Sequence, residues 1–445
     1  MTNTPTLFIG IDLGTSGCRA IAIDAQHHIH AEVTVDLPAP LRSGSHVEQA
    51  PALWWAAVCQ CLETLSLKVD PHHVRAIAVD GTSATLLLTD KQRKPLIPAL
   101  MYNDARAISQ ADTIARLAPA NTAAQGASSA LAKLLWLSEN GQCDSAAYVA
   151  HQADWVAGQL CEQTGTSSAF TDDNNALKLG FDAENKHWPD WLKNLNFPHR
   201  LLPEVVAPGT IIGRLNHALA RRFGFPENTR IVAGTTDSTA SFMATGACEI
   251  GEAVTALGST LVVKVIAEKP IFAAEYGVYS QPLMVDGQQR WLVGGASNSG
   301  GAVLRQYFSD EQLHSLTSRL KPEQATGLNY YPLPSVGERF PVNDAQLKPR
   351  LEPRPEDDRV FFQGLLEGIA DIEAQAYLLL ARLGAPYPVS VRSTGGGAAN
   401  SAWTHIRQQR LQTPECQTRM LKAQHTQAAF GSALLALSSI NSLAT

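Results

Sequence analysis

Short apolar runs alternate with polar turns near the start of the chain. Leu7–Ile11, Cys18–Asp24 and Ile29–Leu37 read as strands joined by tight turns, so a β-meander is predicted there. Pro51 then opens a helix, since proline is tolerated in a first turn. Leu53, Trp54, Val58, Leu62 and Leu65 keep helical spacing along it. Val74–Val79 is a further strand that ends in the polar turn Asp80-Gly81-Thr82-Ser83, and Thr85–Thr89 is the next. Between 104 and 225, helical patterns at Ser128–Ser138 and Gln152–Leu160 mix with loops, and Trp188 and Trp191 fall in an irregular segment. Arg230–Ala233 is a strand running into Gly234-Thr235-Thr236-Asp237. The second half predicts a long helix from Val360 to Leu383 with Gly384 as its C-cap. A strand at Val389–Ser393, a helix through Trp403 and a small-residue helix at Gln427–Leu437 follow.

One piece of this pattern occurs twice. Leu13-Gly14-Thr15-Ser16 lies between two apolar runs, and Leu257-Gly258-Ser259-Thr260 lies between two more. Each copy reads as strand, glycine-hydroxyl turn, strand. A duplicated turn of this kind predicts two similar domains facing one nucleotide. The first copy carries Asp12 where the second carries Ala256, so metal-side chemistry is expected at the N-terminal one.

Composition narrows the classes. At 445 residues the chain is too long for one ordinary core, and the repeat sets a division near 245. A net charge of −6 gives no electrostatic case for nucleic acid or an anionic membrane. No apolar run nears the roughly 18 residues of a membrane span, and Met1 to Thr6 lacks the features of a secretory signal. Seven cysteines without CxxC spacing argue against a disulfide framework or zinc site, and a cytoplasmic setting is expected. His151 and the His72-His73 pair have no partners at ligand spacing and read as surface or structural.

Four stretches could carry chemistry. In Asp12-Leu13-Gly14-Thr15-Ser16-Gly17 the glycines let backbone approach an anion, Thr15 and Ser16 add hydroxyls, and Asp12 could hold Mg2+ through water. An ordinary hairpin turn is the other reading. In Gly234-Thr235-Thr236-Asp237-Ser238 the carboxylate could accept a proton from a substrate hydroxyl, or simply cap a helix. Gly294 to Gly301 and Gly395-Gly396-Gly397-Ala398-Ala399-Asn400 could admit a base, ribose or phosphates, or serve close packing; neither is a P-loop or a good dinucleotide fingerprint. Tyr102-Asn103-Asp104-Ala105-Arg106, with Ser83 upstream, places polar groups where polyol recognition would use them.

Taken in order, these motifs resemble those of sugar kinases of the FGGY family, across essentially the whole chain. The resemblance implies an α/β chain of two ribonuclease-H-like domains, the actin-like ATPase fold, with a catalytic cleft between them. It implies a sugar and phosphate domain at 1–245 and a nucleotide domain at 246–445, the last helix being free to pack back on the first. Asp12 would sit by Mg2+ and the transferring phosphate, and Thr15 and Ser16 by the phosphates. Asp237 would be the catalytic base toward the sugar's terminal hydroxyl. Gly258 and Thr260 would belong to the second phosphate hairpin, and Gly295, Gly300, Gly396, Gly397 and Asn400 to the nucleotide pocket. Asp12, Ser83, Asp104 and Asp237 would meet the sugar.

Two departures bear on substrate. Typical bacterial xylulose kinases carry Gln-Met-His where this chain has Gly81-Thr82-Ser83, and usually Trp where it has Tyr102. This version is similar to a compact branch found in cyanobacteria and plants that prefers D-ribulose. The expectation is therefore an ATP- and Mg2+-dependent pentulose kinase making D-ribulose 5-phosphate, acting as a monomer or homodimer. D-Xylulose or another polyol is the alternative within the family. A non-kinase ATPase on the same fold or a sugar sensor is the alternative outside it.

Overall fold

The computed structural model describes residues 5–162, 169–285 and 287–441. The first and last four residues, which bear on the expectations about a leader and the chain's end, lie outside the described residues. Two compact units emerge: Met1–Ala244 with Gln427–Thr445, and Thr245–Thr426. The helix Ala428–Asn441 thus belongs to the first unit, although it closes the chain.

In the first unit a six-stranded sheet runs in the order Ile211–Arg214, Arg230–Val232, Val74–Gly81, Leu7–Leu13, Gly17–Ile23, Ile29–Asp36. The last three form the expected antiparallel meander. Val74–Gly81 runs parallel to Leu7–Leu13, and Arg230–Val232 runs parallel to Val74–Gly81. Three neighbouring strands therefore deliver their C-terminal ends to one edge.

Alternation along the strands assigns the two faces. Ile9, Ile11, Ile77 and Val79 share a buried cluster with Trp54, Val58 and Leu62 of the helix Pro51–Ser66 and Val156 of the helix Gln152–Leu160. Phe8, Ala76, Ala78 and Val232 share another with Ala429, Phe430 and Ala433 of the last helix. That helix is rich in small residues because it lies directly on the sheet. A β-carbon at Gly10 would come within 1.9 Å of the Ala429 carbonyl oxygen. One at Gly431 would come within 1.9 Å of the carbonyl oxygen of Ala240, in the helix Asp237–Ala244.

A second sheet in this unit holds five short strands, in the order Leu41–Ser43, His46–Gln49, Ala99–Leu100, Leu86–Thr89, Tyr148–His151. Only Leu86–Thr89 was legible, because strands of so few residues show no alternation. The helix Ala130–Glu139 packs on it, with Leu131, Leu134 and Leu135 against Leu86, Leu88, Leu100 and Val149.

The second unit repeats the plan. Its sheet runs Tyr279–Val285, Gln288–Ser297, Leu261–Ala267, Glu252–Leu257, Ser390–Thr394, Arg419–Leu421. Glu252–Leu257 pairs antiparallel with Leu261–Ala267 and parallel with Ser390–Thr394, as Leu7–Leu13 does with its two neighbours. The long helix Asp358–Arg382 ends where expected, with Gly384 at φ 109°. Arg407 and Glu373, both fully buried, join this helix to Ser401–Arg410 through bonds of 2.6 and 2.7 Å. Thr255 donates to the same carboxylate and Arg407 donates to Ser393, so the buried charges are satisfied from both strands beneath.

Gly431→Ala should force a methyl group into the Ala240 backbone and destabilise the protein by about 1–3 kcal/mol. Thermal unfolding followed by circular dichroism measures this; an unchanged midpoint would mean the helix does not sit this close to its neighbour.

Candidate active site

The parallel strands of the first unit bring three acidic residues together. Asp12 closes the apolar run of Leu7–Leu13, and Asp80 lies directly opposite it near the end of Val74–Gly81. Thr236 bridges to Gly81, which carries the chain from Arg230–Val232 into Asp237, the first residue of its helix. Asp80 has no exposed surface and accepts a 2.6 Å bond from the Ser432 hydroxyl of the last helix. Asp12 and Asp237 are half-buried. Asp237 Oδ1 accepts from the Ser238 amide at 2.6 Å.

Electrostatics makes Asp12 and Asp80 a pair. Complete burial and the Asp12 charge push the Asp80 carboxyl well above the usual carboxylate range; the Ser432 bond works against this, and the Asp237 charge adds to it. Burial also raises Asp12, while its bond with Asp80 and the Arg19 charge hold it down. Asp80 Oδ1 has no donor to accept from. A retained proton resolves this, because it turns the carboxyl into a donor toward Asp12. Asp80 was read only as part of a polar turn. Its signal was available: an acid closing an apolar strand, as Asp12 does.

The first hairpin turn offers its polar groups outward. Gly14 N–H donates to the Gly17 carbonyl at 3.0 Å, and Leu37 N–H donates to the Ser16 carbonyl at 2.8 Å. Thr15 is half-buried and Ser16 exposed. Ser83 also stays partly exposed, in a turn fixed from below. Gln152 Oε1 accepts from the amide and hydroxyl of Thr82 at 2.9 and 2.7 Å, and Ala84 takes a left-handed φ of 65°. Gln152 was missed because a lone polar residue at a helix start carries no pattern.

Asp104, expected to meet the sugar, is held here by protein groups. It is fully enclosed, accepts from Val47 N–H at 2.6 Å, and pairs with Arg106 Nη2 at 2.7 Å. A guanidinium two residues on captures the carboxylate, which ties its own loop; Tyr102 remains the exposed side chain there. His151 is buried and bonded to Asp154 and Thr171, the structural reading.

The second unit carries a cavity of about 690 Å3. Gly258, Gly396, Gly397 and Asn400 line it. Asn400 also caps the helix Ser401–Arg410 through Trp403 N–H. Arg305, His314 and Thr317 line it too and were not anticipated, since they lie on surface-patterned helices. Thr260 is exposed in the hairpin but outside the lining. Gly295 and Gly300, also expected at the nucleotide pocket, lie outside this lining. A β-carbon at Gly295 would strike the Phe340 ring at 2.6 Å, and one at Gly300 the Ser259 carbonyl oxygen at 2.7 Å. Both let the backbone pack closely, and Gly397 within the lining does the same against the Trp403 ring at 2.5 Å.

A sequence profile of the FGGY family of carbohydrate kinases, N-terminal domain, matches residues 7–244, more than half of the chain. The chain belongs to the FGGY family of carbohydrate kinases. Xylulose kinase of Escherichia coli strain K12 is 25% identical over 431 residues, covering 90% of this chain and 84% of that protein. Among solved structures, a "xyloylose kinase" from Brucella ovis superimposes with a TM-score of 0.85 at 23% identity, over 98% of this chain and 91% of that one. Plasmodium falciparum glycerol kinase with ADP gives 0.83 at 17%, over 99% and 92%. The two similar units are thus the ribonuclease-H-like halves of an actin-like ATPase fold.

The paired acids of this FGGY kinase also suit a divalent cation, which binds deprotonated carboxylates and can displace a shared proton. Among the described residues no group of three acidic, histidine or cysteine side chains forms a closed cage. Mg2+ needs none: it retains waters and uses one or two carboxylates with phosphate oxygens.

Asp80→Asn should preserve the bond to Asp12, because an amide N–H replaces the acid O–H. The sign of its pH effect follows from the raised Asp80 value. That stabilisation is complete below about 4, the unfolded range, and is lost as pH rises through the folded value. Urea unfolding across pH should therefore show wild type losing stability with rising pH more steeply than Asp80→Asn. Parallel curves would mean that Asp80 holds no extra proton.

Proposed function

We propose that this FGGY kinase phosphorylates a pentulose at its terminal hydroxyl with ATP, and that D-ribulose is the preferred sugar. The observation that carries the transfer is the placement of Asp237 beside the Asp12–Asp80 pair, at the ends of neighbouring parallel strands. A half-buried carboxylate at such an end can meet a sugar hydroxyl. Asp237 takes the hydroxyl proton as the sugar oxygen bonds to the γ-phosphorus, and the bond to the β–γ bridging oxygen breaks to release ADP. The loose transition state of phosphoryl transfer asks for positioning more than for a strong base, so an ordinary carboxylate suffices.

Thr15 and Ser16 supply hydroxyl and backbone donors to phosphate from the first hairpin, and Gly258 and Thr260 from the second. Gly396, Gly397 and Asn400, with His314 and Thr317, hold the nucleoside in the second unit's cavity. Asp12, backed by Asp80, would hold Mg2+, which when bound neutralises charge developing on the phosphates.

The choice of D-ribulose rests on the Thr82-Ser83 turn. The partly exposed Ser83 hydroxyl stands there where the xylulose-kinase segment has a histidine, and the two sugars differ in the configuration of one hydroxyl-bearing carbon. D-Xylulose is the second reading, favoured by the names of the curated relatives.

Purified protein assayed for ADP release over D-ribulose, D-xylulose, gluconate and glycerol tests both. The expected result is a kcat/KM for D-ribulose at least about 10-fold above the others. A preference for D-xylulose would move the assignment to the second reading, and no stimulation by any of them would end the pentulose reading. Asp237→Ala should lower sugar-dependent turnover by about 10²–10⁴-fold while calorimetric ATP affinity stays unchanged. Wild-type turnover in that variant would remove Asp237 from the base role.

A further inference from the structure

Lys133 lies in the middle of the helix Ala130–Glu139 with no exposed surface. Its ammonium donates to two backbone carbonyls, Ala84 at 2.9 Å and Met101 at 2.7 Å. Those carbonyls belong to different loops. Ala84 follows Ser83 in the turn whose amide and hydroxyl Gln152 holds. Met101 precedes Tyr102, and its carbonyl also accepts the Asp104 N–H. The same helix grips the second loop again, because the Arg106 guanidinium stacks 4.9 Å from the Trp136 ring centroid and pairs with Asp104.

A lysine is an unusual way to fill this position. The neighbouring core is aliphatic, and a leucine or methionine would pack there without burying a charge. Among the described residues the hydrogen-bond partners of the Lys133 ammonium are two neutral carbonyls. What the ammonium supplies, and an aliphatic chain would not, is one donor atom shared by two separate loops.

We propose that Lys133 is a positioning residue that locks the Thr82–Thr85 turn to the Met101–Arg106 loop, so that the two loops present one rigid surface to the sugar. The assignment of these loops to the sugar rests on the pentulose-kinase reading; the mechanical coupling does not. Burial pushes Lys133 down to about 7. Asp104 favours its charge, and Lys178 and Arg106 oppose it. The clasp therefore carries full charge below neutrality and weakens above it.

The test uses full-length wild type, Lys133→Met and Lys133→Gln. Hydrogen–deuterium exchange read by mass spectrometry should show peptides spanning 82–89 and 99–107 gaining exchange together in Lys133→Met, with a smaller gain in Lys133→Gln. Peptides of 252–267 should stay unchanged. Gain in one loop alone, or in neither, would overturn the coupling whatever the substrate. Kinetics then test the consequence on the sugar that the ADP-release assay identifies. KM for that sugar should rise at least tenfold in Lys133→Met, with KM for ATP and kcat within twofold. The wild-type sugar KM should rise above pH 7, and the Lys133→Gln profile should be flat there. Coupled loosening of the loops with an unchanged sugar KM would overturn the role toward sugar. Should Lys133→Met fail to fold, Lys133→Gln and the wild-type pH profile carry the same comparison.

Discussion

The buried contact between Asp12 and Asp80 is the constraint around which the first unit is arranged. Two carboxyl groups opposite each other at the ends of parallel strands cannot both be charged without a counter-ion. The fold keeps them there by closing the sheet with the last helix, whose Ser432 satisfies one oxygen of Asp80. That helix reaches its place only because Gly10 and Gly431 lack side chains. Glycines that read as mere small residues thus decide how deep the acid pair lies. Depth in turn holds the Asp80 carboxyl well above the usual carboxylate range.

The two units share a sheet topology but not a chemistry. Leu13-Gly14 and Leu257-Gly258 occupy matching hairpins, so Asp12 corresponds to Ala256. In the first unit Asp12 faces Asp80 across the parallel ladder; in the second, Ala256 faces Thr394. Acid groups at the first position give the first unit a facing pair of carboxyl groups. Neutral small groups at the second leave room beside the glycine turns at Gly258 and Gly396, where the cavity opens. The second unit has a buried ion pair in Arg407 and Glu373, where the charges join two helices. One duplicated scaffold has been filled in opposite ways at one register position.

Legibility in the sequence followed length and period. The helices Gln152–Leu160 and Asp358–Arg382, the first meander and the last small-residue helix announced themselves by spacing. The five-stranded second sheet did not, because its strands are too short for a period to show. Among site residues, acids that close apolar runs were readable, and Asp12 and Asp237 were read so. Asp80 closes its run in the same way, but a following Gly-Thr-Ser drew it into a turn. Lys133 and Gln152 were invisible because each acts through backbone carbonyls or amides of distant segments, a relation that composition and spacing do not encode.

Glycine runs show most clearly why a motif needs its three-dimensional context. Gly396 has no neighbour within 4 Å of a hypothetical β-carbon, so its missing side chain leaves open space. Gly295, in an equally glycine-rich stretch, has the Phe340 ring against it. The first absence leaves open space and the second makes room for a protein side chain, yet the two are the same letter in similar surroundings. What separates them is whether the next layer of the fold arrives. Strand Gln288–Ser297 lies inside its sheet, with partners on both sides, and a layer packs over it. The turn after Ser390–Thr394 sits at a strand end, beyond the last ladder pair; Gly396 there faces open space while Gly397 packs on the Trp403 ring. In this chain the open glycine at 396 follows the end of a parallel strand, the same geometry that places the acids at 12, 80 and 237.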